Sequence, residues 1–224
     1  MRIIAGIHRG RRLLPPANDA TRPITDRVKQ SLFDVLSPRI EGARVLDIFA
    51  GTGSMGLESL SRGASSAMFF ESDRSAVRLL RQNIESLGLA DQSTIISMDL
   101  FKWFGNRKSP RPALVRATSS ESFPPSPGTP GEGERPTSHA PPTASRTRAD
   151  LVFLDPPYRF LVERGTDLRA LTERLVTDHL APDAVVVFRH DAAHELDLPR
   201  LRRSDQRTYG SMTIEFLTLH NNRV

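Results

Sequence analysis

Residues Leu151–Tyr158 read L-V-F-L-D-P-P-Y, an apolar run that meets an acid, two prolines and an aromatic ring. Prolines 156 and 157 cannot donate to a sheet ladder, so a strand at Leu151–Leu154 must end there. The chain then leaves the sheet at its carboxyl edge, where open α/β sheets bind ligands. A proline-stiffened loop holds the Asp155 carboxylate, the Pro156 carbonyl and the Tyr158 ring in a fixed relation. Two acceptors and an aromatic plate suit a planar amine, gripped through its N–H groups and stacked on the ring. Asp155 is expected to touch that amine and little else. The same four letters also end ordinary strands, so the reading depends on what else stands at that edge.

A second constellation lies upstream. Phe49–Gly56 reads F-A-G-T-G-S-M-G, and Gly51, Gly53 and Gly56 fit G-x-G-x-x-G between a predicted strand (Arg44–Ile48) and a predicted helix (Ser54–Arg62). Glu71 ends a predicted strand at Ala67–Phe70 and stands 20 residues after Gly51, the distance at which an acid grips ribose hydroxyls. A third predicted strand, Thr94–Met98, runs into Asp99. Asp47, Glu71 and Asp99 are thus expected to line one sheet edge with carboxylates. The glycines suit a nicotinamide dinucleotide or S-adenosylmethionine, and Asp47 separates the two. A carboxylate is unfavourable beside a pyrophosphate and favourable beside an ammonium and a sulfonium. His190 and His194 have metal-like spacing but lack a convincing third ligand, so no metal is predicted.

These residues require elements to carry them. Thr25 is a natural N-cap for a helix whose apolar face is Val28, Leu32, Val35 and Leu36, stopped at Ser37-Pro38. Ser75–Leu87 reads as an amphipathic helix ended by Gly88. Leu168–Leu180 reads as a helix, Ala184–Phe188 as a buried strand, and Leu201–Tyr209 with Met212–Leu219 as a hairpin about Gly210-Ser211. The order βαβαβ, βαβ, hairpin predicts a doubly wound α/β sheet, mostly parallel with an antiparallel C-terminal end. Residues 105–149 hold nine of the 17 prolines and too little apolar surface to offset their ordering entropy, so they read as a disordered insertion. The expected organisation is a basic extension and helix at 1–43, followed by one catalytic domain at 44–224 that the insertion interrupts.

Composition narrows the partners. The chain has 224 residues, a net charge of +5 and a sequence pI near 10.3. Residues 1–46 hold nine Lys or Arg against four acids, which favours a polyanion partner. The absence of Cys excludes disulfides, thiolate chemistry and zinc ribbons. No run is long enough to span a membrane and the start lacks a signal-peptide core, so a cytoplasmic protein is expected.

The motifs together resemble a known family. D-I-F-A-G-T-G-S-M-G-L-E (47–58) with L-D-P-P-Y (154–158) is similar to the class I S-adenosylmethionine-dependent amino-methyltransferases. M-R-I-I-A-G-x-x-R-G-R-x-L at the start, R-P-I-T-D-R-V-K-Q-S-L-F at 22–33 and Y-G at 209–210 resemble the bacterial 16S rRNA guanine-N2 methyltransferases of the RsmD type. Ile24, Gln30 and Asp34 depart from that pattern, which usually has Thr, Glu and Asn there. The resemblance implies that Asp47, Phe49, Gly51 and Gly53 surround the methionine part of the cofactor, Glu71 the ribose hydroxyls and Asp99 the adenine amine. It places the guanine N2 amine between Asp155 and the Pro156 carbonyl, with Tyr158 stacked on the base. Arg9, Arg11, Arg12, Arg22 and Arg27 are the expected RNA contacts, the small ribosomal subunit the expected partner, and a monomer the expected state. The rival readings are a DNA adenine-N6 methyltransferase, a methyltransferase acting on an amide side chain of a protein, and an RNA-binding assembly factor without catalysis.

Overall fold

Apolar residues alternate between two faces along each central strand, and that alternation builds the molecule. The structure is a computed structural model that describes residues 1–16, 24–105 and 148–220. Arg22 and residues 106–147 of the expected insertion lie outside them. The described strands are β1 (Arg44–Ile48), β2 (Ser66–Phe70), β3 (Ser93–Ile96), β4 (Ala149–Leu154), β5 (Leu180–Asp191), β6 (Leu201–Tyr209) and β7 (Met212–Leu219). They form one sheet in the order β3-β2-β1-β4-β5-β7-β6. Pairs from β3 to β5 are parallel, and β7 runs antiparallel to both β5 and β6. Chain order reverses between β1 and β4, which makes their carboxyl ends the switch point where such sheets open a crevice.

Helices cover both faces. On one side lie α1 (Asp26–Leu36), α2 (Ser54–Ser61) and α3 (Arg74–Leu87), whose Leu32, Phe33, Leu57 and Leu80 pack on Val45, Phe69, Phe153 and Val187. On the other lie α4 (Leu100–Gly105), α5 (Arg159–Glu163) and α6 (Gly165–Arg174), whose Trp103, Phe104, Leu168 and Leu171 pack on Leu46, Phe70, Leu154 and Phe188. Thr25 caps α1 by accepting from the Val28 N–H, as its position in the sequence predicts. Strand β5 begins earlier than its apolar run suggests. It pairs from Leu180 through a register shift opposite Ala149–Leu151, which lets Pro182 sit exposed without breaking the ladder.

The N-terminal arm is part of the core. It turns back on itself through a single bridge, Arg2 to Arg12, and buries Ile3 and Leu13 beneath it. Glu58 of α2 accepts from the backbone N–H of Ile4 (2.8 Å) and Ala5 (3.0 Å), from Lys29 (3.1 Å) and from Arg62 (2.8 Å). Lys29 in turn donates to the Arg2 carbonyl at 2.6 Å. Glu58 and Lys29 are 0% and 1% exposed, so the arm, α1 and α2 are tied by a desolvated ion pair. Burial lowers the Lys29 pKa, and Glu58 opposes that shift.

Candidate active site

The β1–α2 loop sets the first wall of the site. Gly53 turns it with φ 85°, and a Cβ there would lie 2.4 Å from Leu80 Cδ1. Gly56 brings α2 against the sheet, where a Cβ would meet the Phe69 ring at 2.3 Å. That closeness lets the Gly56 N–H donate to Asp47 Oδ2 at 2.8 Å. Asp47 is 2% exposed. Burial pushes its pKa up to about 8; the Gly56 hydrogen bond opposes this, while the nearby Asp155 and Glu71 charges add to it. Phe49 is one of two described non-glycine residues with positive φ (63°), a strain of the kind that marks ligand sites.

Glu71, just past β2, holds the loop from the other side. Its Oε2 accepts from the Gly51 N–H, and its Oε1 from the N–H groups of Ser72 and Asp73, each at 2.8 Å. Past β4, the Asp155 N–H donates to the Ile48 carbonyl, and its side chain accepts from Arg189 Nε at 2.6 Å. The expectation that Asp155 touches little besides substrate is therefore corrected. Arg189 follows the apolar run of β5 and is raised in pKa by Asp155 against the cost of burial, which is the largest influence on it. Its one signal in the sequence is being the first charge after Ala184–Phe188, and only the strand register puts it beside Asp155.

A cleft of about 380 Å³ opens between these groups. Asp47, Phe49, Gly51, Glu71, Asp155 and Arg189 line it, so the structure brings together most of the residues singled out by motif. Others lie elsewhere. Asp99 accepts from the N–H groups of Phe101 (2.9 Å) and Lys102 (3.3 Å), which makes it the cap of α4, and it does not line the cleft. Neither Pro156, which is buried, nor Tyr158 lines it. Tyr158 opens α5 with helical φ and ψ, and the ring that reaches the cleft is Phe160, two residues on. Phe160 packs with Phe49 and Phe101 at centroid distances of 5.9–6.0 Å, and Arg164 covers Phe101 at 3.7 Å. Ile24 and Leu32, beside and within α1, supply apolar wall.

Arg9, Arg11, Arg12 and Arg27 are exposed. Arg11 is engaged, donating to the Ser86 carbonyl at 2.7 Å. His190 is buried, stacked on Phe188 and close to Glu215, whereas His194 sits by Asp191 on the surface.

This strand order, with an acid-lined crevice at the β1/β4 switch point and an antiparallel C-terminal hairpin, defines a Rossmann-like methyltransferase fold. Residues 1–114 and 134–218 match the family described as Conserved hypothetical protein 95. The chain belongs to that family, the RsmD type that its motifs resemble. The unmatched gap, 115–133, lies inside the expected insertion and is shorter than it. The chain is 31% identical over 216 residues to YlbH of Bacillus subtilis, covering 94% of each protein. It is 33% identical over 170 residues to ribosomal RNA small subunit methyltransferase D of Haemophilus influenzae, covering 75% of this chain and 69% of that protein. The solved structure of yhhF from Escherichia coli superposes with TM-score 0.71 at 26% identity, covering 98% of each chain. An RNA methyltransferase from Salinibacter ruber, crystallised with S-adenosyl-L-homocysteine, shares the fold at TM-score 0.54 and 16% identity, over 90% of this chain and 96% of that one.

Proposed function

We propose that this chain methylates the exocyclic N2 amine of a guanine in 16S rRNA, with S-adenosylmethionine as methyl donor. The observation that carries the reading is the placement of Asp47, Glu71 and Asp155 around one cleft in a chain of this family. The buried Asp47 carboxylate fits a cationic cofactor, because a dinucleotide pyrophosphate would add negative charge where burial already disfavours it. Asp47 and the Gly51 loop would hold the methionine part, and Glu71 the ribose hydroxyls. Bound there, S-adenosylmethionine supplies an electrophilic methyl group on a positively charged sulfur.

The remaining work falls to the protein. A guanine amine is a poor nucleophile because its lone pair is delocalised into the ring. Asp155, accepting from an amine N–H, orients that lone pair toward the cofactor; the Pro156 carbonyl, the second acceptor that the motif assigns, does not line the cleft. Stacking on the base, which the motif assigns to Tyr158, passes to Phe160, which lines the cleft. A base must leave its helix or loop to reach this depth. Exposed Arg9, Arg12 and Arg27 supply charge for the surrounding phosphates. The protein is read as a cytoplasmic monomer acting on the small ribosomal subunit, since that is where such a base is offered.

Labelled S-adenosylmethionine given with small ribosomal subunits, DNA and bulk protein tests the reading. Label is expected in 16S rRNA, at N2-methylguanine after digestion. Label in DNA adenine, or in protein alone, overturns it.

A further inference from the structure

We propose that Arg189 is a positioning residue for Asp155: its guanidinium fixes one carboxylate oxygen and thereby aims the other at the amine to be methylated. The inference rests on the assignment of Asp155 to that amine. Val187 of β5 pairs with Phe153 of β4, so Arg189 and Asp155, each two residues further on, emerge side by side on the same face of the sheet. That face also carries Asp47, which pairs with Phe153 on its other flank. The bond from Arg189 Nε to Asp155 Oδ1 is 2.6 Å, with side chains 12% and 25% exposed. Nη1 of Arg189 reaches Met212 Sδ on β7 at 3.7 Å, so the guanidinium is held from a third strand as well. Among the described residues no donor is bonded to Oδ2 of Asp155, and both Asp155 and Arg189 line the cleft.

A rigid guanidinium constrains its carboxylate more tightly than a lysine ammonium does. It also balances a site that already holds Asp47 and Glu71. During transfer the amine lone pair forms the N–C bond, the C–S bond breaks with its electrons to sulfur, and the nitrogen then sheds a proton to water. Asp155, tied to a permanent cation, serves as an acceptor of the N–H hydrogen bond throughout.

An amide at position 155 exposes this division of labour. In Asp155→Asn the amide oxygen turns to Arg189, which leaves the NH₂ facing the substrate amine, donor against donor. Remove Arg189 and the amide is free to turn its oxygen to the amine. The experiment measures methyl transfer to small ribosomal subunits by wild type, Asp155→Asn, Arg189→Met and the double variant. Thermal melts and S-adenosylmethionine calorimetry accompany each. Asp155→Asn is expected to lower kcat roughly 10²–10³-fold in the wild-type background with cofactor affinity little changed. In the Arg189→Met background the same change is expected to cost at least about tenfold less, a coupling that independent sites do not show. Arg189→Lys, which keeps the charge but loses the fork, serves as a second background if Met prevents folding, with intermediate coupling expected. Equal Asn penalties in every background, with wild type active, overturn the positioning role alone. Wild type that binds S-adenosylmethionine yet labels no rRNA overturns the functional reading, and this inference with it.

Discussion

Asp47 on β1 and Gly56 on α2 are joined by a 2.8 Å hydrogen bond from the Gly56 N–H to the Asp47 carboxylate, almost wholly out of water. Burial dominates over that single bond, so Asp47 titrates near 8 in the folded chain instead of near 3.8. A carboxyl whose folded pKa is raised contributes stability that is fully present below its unfolded pKa and is lost as pH rises through the folded one. Asp47 therefore costs stability at about 1.4 kcal/mol per pH unit across the window from about 4 to 8. Asp47→Asn, whose amide oxygen still accepts from Gly56, is expected to melt above wild type at pH 8, with the gap closing toward pH 4. A gap unchanged across that window refutes the assignment. A bound cation favours the ionised form, so calorimetry at pH 7 in buffers of different ionisation enthalpy should also detect proton release on S-adenosylmethionine binding, and Asp47→Asn should abolish it.

Glu71 is bound to three backbone N–H groups, so its removal acts twice. Glu71→Ala is expected to weaken S-adenosylmethionine roughly 10- to 100-fold, the loss of one hydrogen bond to a charged group at about 1.5–3 kcal/mol. It should also lower the melting temperature of the free protein. Calorimetry and a melt on the same sample separate the two effects, and unchanged affinity would remove Glu71 from the cofactor site.

The buried pair of Glu58 and Lys29 makes a sharper stability prediction than any surface bridge here. Glu58→Ala strands Lys29 and two arm N–H groups, and breaking such a pair costs about 3–5 kcal/mol. Urea unfolding should show that loss, with the N-terminal arm becoming sensitive to protease under native conditions. A loss below about 1 kcal/mol would mean that the arm's attachment does not depend on this pair.

For the arm's outer surface, the structure divides the arginines. Arg11 is tied to α3 through the Ser86 carbonyl, whereas Arg9 and Arg12 are exposed. Replacing Arg9 and Arg12 with Ala is expected to weaken RNA binding and to flatten its salt dependence by about 0.7–0.9 in slope for each phosphate no longer neutralised. Cofactor affinity should not move. An unchanged slope would make the arm a structural cap and nothing more.

Much of this was readable in one dimension because local rules govern it. Thr25 before an apolar-periodic segment, glycines after a short apolar strand, and prolines after Asp155 each dictate backbone geometry within a few residues. They predicted the helix start, the glycine turn between β1 and α2 and the strand end, and the alternation of helices and strands implied the doubly wound sheet. Asp47, Glu71 and Asp155 converge for the same reason, since parallel strands in such a sheet deliver their carboxyl ends to one edge.

What tertiary structure decided depends on which strand lies beside which. Arg189 is 34 residues from Asp155 and meets it only because β4 and β5 are neighbours in register. Glu58 and Lys29 are ordinary letters in two helices until packing excludes water from both. Asp99 ends a strand pattern as Asp47 and Glu71 do, yet the start of α4 claims its carboxylate as a cap. Tyr158 and Phe160 differ by two positions along the turn into α5, and the direction of that turn selects which ring faces the cleft. Residue types and spacing specify the backbone's local path; which side chains lose water together, and so which charges must pair, is settled only when the strands and helices meet.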